Sequence, residues 1–387
     1  MKILQVSNFL APVHGGSAEV PLQLSKALVK REHYVTIYTS NFKLNQPPIR
    51  LPGLNIDAFS TWLKLANFDI TPGILKKAKE EIGDVDVIHM HNYRTFQNIV
   101  VRHYAKKFGI PYVLQAHGSL TTYFQKGLLK KIFDIIWGRK ILKDAVKVIA
   151  VTRTEAEQYQ SLGVSADKIE IVPHGVDLAE FDDLIEKGEF KKKYQLGDDQ
   201  KVVLYLGRIH KMKGLDILAG AFADLCRLRT DVRLVITGPD DGYLSSLKKL
   251  IAELEIGDRI VFTGPLYGRE KLKAYIDADV YVLPSSYEIF GITILEAWAC
   301  GKPVIVTDRC GLADVVKGRA GLVVPYDGVQ LRDALAEMLD NTSMRLEFGR
   351  QGRKLVEERY NWPNIALQVE SIYNSVVANR TRGVQHG

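Results

Sequence analysis

Short apolar runs, most of them separated by helical segments and many closed by glycine, proline or serine, recur along this chain in two series. Lys2 to Ser7, Tyr34 to Thr39, Val85 to His89, Tyr112 to Ala116, Val146 to Val151 and Ile169 to Pro173 form the first. Val202 to Leu206, Arg233 to Thr237, Arg259 to Phe262, Val280 to Leu283, Pro303 to Val306 and Gly321 to Val324 form the second. Runs this short and this apolar are those of strands buried on both faces, and strands alternating with helices join in parallel. Between the two series, residues 178–199 are charged and carry no strand pattern, which marks a domain boundary. A chain of 387 residues also exceeds what one core commonly serves. The expectation is an α/β protein of two parallel-sheet domains, 1–178 and 179–361. From Gln330 the pattern is helical, and Trp362 with Pro363 breaks it. The last helix, 362–378, is expected to complete the first domain, and 379–387 to be a flexible tail.

Composition narrows the class. A hydrophobic fraction of 46% with 25% charged residues suits a soluble globular protein, and no apolar run reaches the length of a membrane-spanning helix. The first residues lack the pattern of a secretory signal. Three cysteines, none in Cys-x-x-Cys spacing, argue for a reducing cytoplasm and against a zinc site or a disulfide framework. The net charge of +7 is uneven. Residues 1–178 hold 23 Lys and Arg against 15 Asp and Glu, and the remainder 29 against 30. The basic half suits an anionic partner, a lipid surface or a phosphorylated acceptor, and is also what scattered solvated lysines give.

Candidate site residues gather at strand ends. Glu288 and Glu296 flank a strand-to-helix turn between Pro284 and Gly301. Unpaired amides at that helix start, near Phe290, Gly291 and Ile292, would attract an anion beyond the strand ends. The alternative is a capping Glu288 and a solvated Glu296. Gly207 to Gly214 holds Arg208 and Lys213, a planar fork and a point charge suited to a diphosphate. Gly15 and Gly16 stand between the first strand and first helix, where backbone approaches a phosphate closely, though no dinucleotide or Walker pattern accompanies them. His117, before Gly118, ends a parallel strand and faces either a ligand crevice or loop backbone. His89 and His91 alternate at another strand end without a third metal ligand. Asp84 with Asp86, and Asp277 with Asp279, match an Asp-x-Asp pattern but abut apolar strands and read as strand-entry residues. Residues 119–143 interleave six basic residues and one acidic with Phe124, Leu128, Leu129, Ile132, Phe133, Ile135, Ile136 and Trp137. That composition fits a helix on an anionic membrane surface, or a domain-packing helix with a basic outer face.

Taken together, Gly15-Gly16, His117-Gly118, Arg208 with Lys213, Glu288-x-Phe-Gly-x-x-x-x-Glu296 and Gly301-Lys-Pro resemble the family 4 retaining, nucleotide-sugar-dependent glycosyltransferases. The resemblance covers essentially the whole chain. It implies the GT-B fold, with two Rossmann-like domains whose parallel sheets face across a cleft, an acceptor domain first and a donor domain second. Carried to matching positions, it implies Arg208 and Lys213 on the donor diphosphate and Glu296 on the ribose. His117 would contact the transferred sugar, Glu288 would contact that sugar or support the reacting face, and Gly16 would approach the phosphate. Two departures stand out: His174, where asparagine is commoner, and Asp314, where glutamate is commoner.

The activity expected is metal-independent, retaining transfer from a nucleotide sugar to a saccharide or lipid-linked acceptor, with no cofactor. It would be cytoplasmic, with peripheral contact on the inner membrane face through 119–143. An epimerase or phosphorylase on the same fold is the alternative among enzymes. A basic nucleic-acid-binding protein is the alternative outside them, and no readout motif supports it.

Overall fold

The computed structural model describes residues 1–10, 16–42, 51–65, 68–121, 127–181 and 185–384; of Ser17, Leu65 and residues 381–384 only the backbone is described. The chain divides into two compact units, Met1–His174 with Trp362–Gly387, and Gly175–Asn361.

In the first unit the elements run β1 (Lys2–Val6), α1 (Gly16–Val29), β2 (Tyr34–Ser40), β3 (Leu54–Phe59), β4 (Leu63–Leu65), β5 (Phe68–Ile70), α2 (Gly73–Glu81), β6 (Val87–His91), α3 (Phe96–Phe108) and β7 (Tyr112–Gln115). They continue through α4 (Gly127–Phe133), α5 (Arg139–Asp144), β8 (Lys147–Ala150), α6 (Arg153–Ser161) and β9 (Ile169–Ile171). Seven strands pair in the order β3-β2-β1-β6-β7-β8-β9, and every pairing is parallel. The order reverses between β1 and β6, the point at which open α/β sheets leave a crevice beyond their strand ends. Every residue of β6 and of β7 is buried, as expected of central strands.

The second unit runs α7 (Glu189–Lys193), β10 (Lys201–Leu206), α8 (Leu215–Leu228), β11 (Val232–Thr237), α9 (Leu244–Glu253), β12 (Ile260–Gly264), α10 (Gly268–Asp277), β13 (Val280–Leu283), α11 (Ile292–Ala299) and β14 (Val304–Thr307). Then come α12 (Ala313–Val316), β15 (Gly321–Val324), α13 (Gly328–Asp340) and α14 (Thr342–Glu358). Its six parallel strands take the order β12-β11-β10-β13-β14-β15, with the switch point between β10 and β13. Trp298 on α11 is fully buried and donates its indole N–H to the carbonyl of Ala320 at 3.1 Å.

The chain then returns to the first unit as α15 (Trp362–Val384). Pro363 stands in the first turn of α15, where a missing N–H costs nothing, so it starts this helix as well as separating it from α14. Glu370 ties α15 to the first unit, accepting from Arg31 at 2.7 Å and facing His33 at 2.9 Å.

Two expectations need correction. The helix continues to Val384, so residues 379–384 are not a tail; 385–387 lie outside the described residues. Strand β3 and the antiparallel β4–β5 hairpin carry no apolar run and escape a reading by hydrophobicity, since β3 is a half-exposed edge strand. No helix among the described residues is long and apolar enough to cross a membrane.

Candidate active site

In the second unit the turns after β10 and β13 meet at the switch point. Gly214 makes this contact possible. Its φ is +65°, and a Cβ there would lie 1.9 Å from the carbonyl oxygen of Pro284. Ser286 adds two bonds to the carbonyl of Met212, from its amide at 2.9 Å and its hydroxyl at 3.1 Å. The two turns are thereby held together, and the Lys213 ammonium pairs with the Glu288 carboxylate. Both side chains are mostly shielded, at 17% and 16% exposure, so this pair is less screened than a surface ion pair.

Arg208 sits differently. Its guanidinium contacts Asp241 at 2.6 Å with both side chains largely exposed, a pairing that an incoming anion can replace at little cost. The Tyr205 hydroxyl donates to the Arg208 carbonyl at 2.7 Å and orders that turn.

Gly291, at φ +75°, is the N-cap of α11 and supplies no side chain to the helix start. No acidic residue occupies the first turn either. The preceding segment is fixed from the other side: the Glu288 amide donates to Arg309 at 3.1 Å, and the Gly311 amide to the Glu288 carbonyl at 2.8 Å. Phe290 turns inward, its ring 6.3 Å from that of Tyr360. The turn therefore anchors by its apolar side chains, and its N-cap glycine places no side chain over the first amides of α11.

Glu296 lies one turn into α11 and is not a solvated surface residue. Lys271 donates to it at 2.7 Å and the Tyr275 hydroxyl at 2.9 Å. Burial, with Glu296 adding to it, pushes the Tyr275 phenol well above its ordinary value, so it stays a donor. Tyr281 hydrogen-bonds Thr293 at 2.6 Å and steadies the same turn. The sequence reading missed Lys271, Tyr275 and Asp241. Lys271 and Tyr275 stand four apart on α10 and share a face, a spacing that signals a pair but not its target.

The aspartate pairs serve the backbone. Asp86 accepts from the Lys2 amide at 2.7 Å and Asp279 from the Val202 amide at 2.9 Å. Asp277 accepts from Gly188 at 2.6 Å and Lys191 at 2.9 Å, tying down α7.

In the first unit, His117 and Gly118 follow β7 with φ of +53° and +80°. The left-handed conformation is uncommon for a histidine. Glu155, fully buried on α6, holds the turn by accepting from the Gly118 amide at 2.5 Å and the Val151 amide at 2.8 Å. Burial pushes this carboxyl up to about 7 against the pull of the two amides. The His117 ring lies between His91 and His174, edge to edge, at centroid distances of 5.1 and 5.0 Å. His89 and His91 are completely buried and line no open cleft. Gly16 is the exposed first residue of α1; Gly15 lies outside the described residues.

Of 119–143, residues 122–126, Phe124 and Lys126 among them, lie outside the described residues. From Gly127 the chain is helical, with a π-helical turn at Asp134–Gly138. Phe133, Ile141 and Leu142 face the core, and Arg94 clamps Asp134 at 2.7 and 2.9 Å. Leu128 (73% exposed), Leu129 and Ile135 (64%) stay largely exposed beside the basic residues, and Ile132, Ile136 and Trp137 partly so, the Trp137 ring lying 5.6 Å from that of Phe133.

Comparison with known proteins gives this geometry a family. Residues 14–180 match the model of Glycosyltransferase Family 4, and 186–355 that of Glycosyl transferases group 1. A D-inositol 3-phosphate glycosyltransferase of Actinosynnema mirum is 31% identical over 80% of this chain and 80% of its own. An uncharacterised glycosyltransferase of Methanocaldococcus jannaschii is 29% identical over 96% and 98%. Among solved structures, a sucrose-phosphate synthase from Thermosynechococcus elongatus superposes with a TM-score of 0.79 at 25% identity, covering 98% of this chain and all of that one. Anabaena HepE, solved with UDP and glucose, shares the fold at a TM-score of 0.79 and 20% identity, over 97% of this chain and 100% of its own. With two doubly wound units, matches to both family models and a relative above 30% identity across most of its length, the chain belongs to the group 1, family 4 glycosyltransferases and is an enzyme of the GT-B fold.

Proposed function

We propose that the protein transfers a sugar from a nucleoside-diphosphate donor to a saccharide or lipid-linked acceptor with retention of configuration, and that charge on the departing diphosphate is met by Arg208, Lys213 and the first amides of α11. The observation that carries this reading is the Lys213–Glu288 pair at the β10/β13 switch point, beside a helix start that no side chain caps. In the free enzyme each member neutralises the other. A diphosphate competes for Lys213 and frees Glu288 to accept from a sugar hydroxyl. Arg208 exchanges Asp241 for a phosphate oxygen. Glu296, held in place by Lys271 and Tyr275, keeps lone pairs for the ribose diol.

The reaction balances without a protein nucleophile. The C1–O bond to the diphosphate breaks and its electron pair goes to the leaving oxygen. The acceptor hydroxyl attacks C1 from the same face, and its proton passes to the departing phosphate. Cations and helix amides pre-aimed at that phosphate stabilise the charge where it develops. His117 and Gly16, from the first unit, are assigned to the sugar and the phosphate on the family resemblance.

The test is transfer from UDP-, GDP- and ADP-sugars with the product anomer read by NMR. Retained configuration and full activity in EDTA are expected; inversion, or loss on chelation, contradicts the mechanism. Glu296→Gln raises the donor KM by roughly tenfold, the effect of weakening one charge-assisted hydrogen bond, and moves kcat less.

The exposed apolar strip with its basic neighbours favours a lipid-linked acceptor, reached by a cytoplasmic enzyme resting on the inner face of the membrane. Vesicles containing phosphatidylglycerol should sediment the protein at low salt, and pure phosphatidylcholine vesicles should not. Replacing Leu129 and Ile135 together by serine should abolish the co-sedimentation. Equal behaviour of the two vesicle types counts against the membrane assignment.

A further inference from the structure

His117 is one member of a buried chain of hydrogen bonds that crosses the first unit. His89 and His91 stand two apart on β6 and so share a face; their rings stack at 4.1 Å. The Gln5 side chain on β1 bonds His91 Nε2 through its oxygen and donates to the Tyr373 hydroxyl of α15 at 3.2 Å through its nitrogen. Tyr373 meets His89 Nδ1 at 2.7 Å. On the other side His91 Nδ1 meets His117 Nε2 at 2.8 Å, and His117 Nδ1 meets His174 Nε2 at 3.4 Å. Gln5, His89, His91 and Tyr373 are completely buried.

Proton positions follow from Gln5 outward. An amide oxygen only accepts, so His91 Nε2 carries a proton and donates. A neutral His91 then offers a lone pair on Nδ1, which takes the Nε2–H of His117. His117 in turn offers Nδ1, which takes the Nε2–H of His174. In the other direction the Gln5 nitrogen donates to the Tyr373 oxygen, and the Tyr373 hydroxyl donates to His89. Burial disfavours the charged form of every ring and holds each well below the ordinary histidine range. Around His117 the titratable groups are His89 and His91 from β6, His174 beyond β9, Tyr373 from α15, and Glu155 from α6 through the Gly118 amide. Every bond in the chain would run equally well with all protons reversed. Only the Gln5 amide, with unlike ends, sets the direction.

We propose that Gln5, acting through His91 and steadied by Tyr373, fixes His117 as the neutral Nε2–H tautomer, so that Nδ1 is an acceptor for a hydroxyl of the transferred sugar. The His117–His174 bond is the longest in the chain, hence the one a sugar hydroxyl replaces most readily. Gln5, His91 and Tyr373 are then positioning residues. This rests on reading His117 as a sugar contact.

The experiment uses the full chain labelled with 15N-histidine, with tautomers read from two-bond 15N–1H spectra and kinetics measured on the same samples. Wild type should show His117 neutral and protonated on Nε2 at pH 7. In Gln5→Glu the carboxylate accepts from both sides and His91 becomes an imidazolium donating from both nitrogens. His117 must then accept on Nε2 and carry its proton on Nδ1. kcat/KM should fall by up to about 100-fold, as for a misaligned contact group. It should recover between about pH 7 and 9 as His91 loses its proton, a range in which the wild type is folded and shows no such limb, and the variant's urea midpoint at each pH separates this from unfolding. If Gln5→Glu does not fold, Tyr373→Phe keeps the shape and frees the amide, and a mixture of His117 tautomers is expected. A wild-type Nδ1–H tautomer overturns the inference alone, as does a flipped tautomer with unchanged kcat/KM. An unaltered kcat/KM in His117→Ala overturns the sugar-contact reading and the inference with it.

Discussion

Lys213→Ala is expected to lower kcat/KM for the donor by about 10²- to 10³-fold, mostly through kcat, the range seen when one preorganised donor to a developing negative charge is removed. Two consequences of the substitution act together. The diphosphate loses a cation held in a largely shielded position, where charges interact more strongly than in open water. Glu288 loses its partner and remains as a negative charge beside the arriving diphosphate. Arg208→Ala should cost only roughly tenfold, about 1.4 kcal/mol, because its guanidinium is half exposed and water fills its place. The pair also predicts non-additivity. With Lys213 already gone, Glu288→Gln relieves repulsion, so the double variant should be more active than the product of the single effects. Steady-state kinetics with the four proteins check this. A Lys213→Ala loss below about threefold, or strict additivity with Glu288→Gln, would remove the diphosphate from Lys213.

How much of this was legible from residues alone depended on where partners sit in the chain. All six strands of the second sheet could be read, because strands buried on both faces are apolar runs whatever surrounds them. Strands β3, β4 and β5 could not, because edge position and half-exposure remove that pattern. Arg208, Lys213, Glu288 and Glu296 were identifiable as chemistry at strand ends. Their pairing was not. That Lys213 reaches Glu288 depends on Gly214 lying against Pro284, a contact between turns far apart in the sequence. Glu296 found its partners on α10, whose placement no periodicity gives. His89 and His91 were visible as an alternating pair but gave no sign of burial. That depends on β6 lying between β1 and β7, so that Gln5 and His117 close over it from either side.

The same buried histidines make the first unit sensitive to acid. His89 and His174 are pushed down to about 3 by burial, and His91 and His117 well below the usual range by burial and by each other's company. An unfolded histidine titrates near 6.5. Below that value the unfolded chain binds protons that the folded chain refuses, so stability falls as pH falls. Each ring contributes about 1.4 kcal/mol of loss per pH unit once the unfolded group is fully protonated. Glu155 works the other way. Held at about 7, it takes its proton in the folded state first, and its contribution grows as pH drops toward the ordinary carboxylate value. One carboxyl offsets about one ring of the four. Glu270, held down to about 2 by Lys193 and Lys273, enters only below about pH 4.5 and leaves the window clear. The net loss is roughly 4 kcal/mol by pH 5.5, against the 5–15 kcal/mol by which domains are commonly stable. Urea unfolding should therefore give a midpoint nearly constant from about pH 8 to 7, then a steep fall toward pH 5. His174→Asn removes one ring and should flatten the slope by about one proton. A midpoint unchanged down to pH 5 would mean that the four rings are not held neutral, and the directional chain through Gln5 would fall with them.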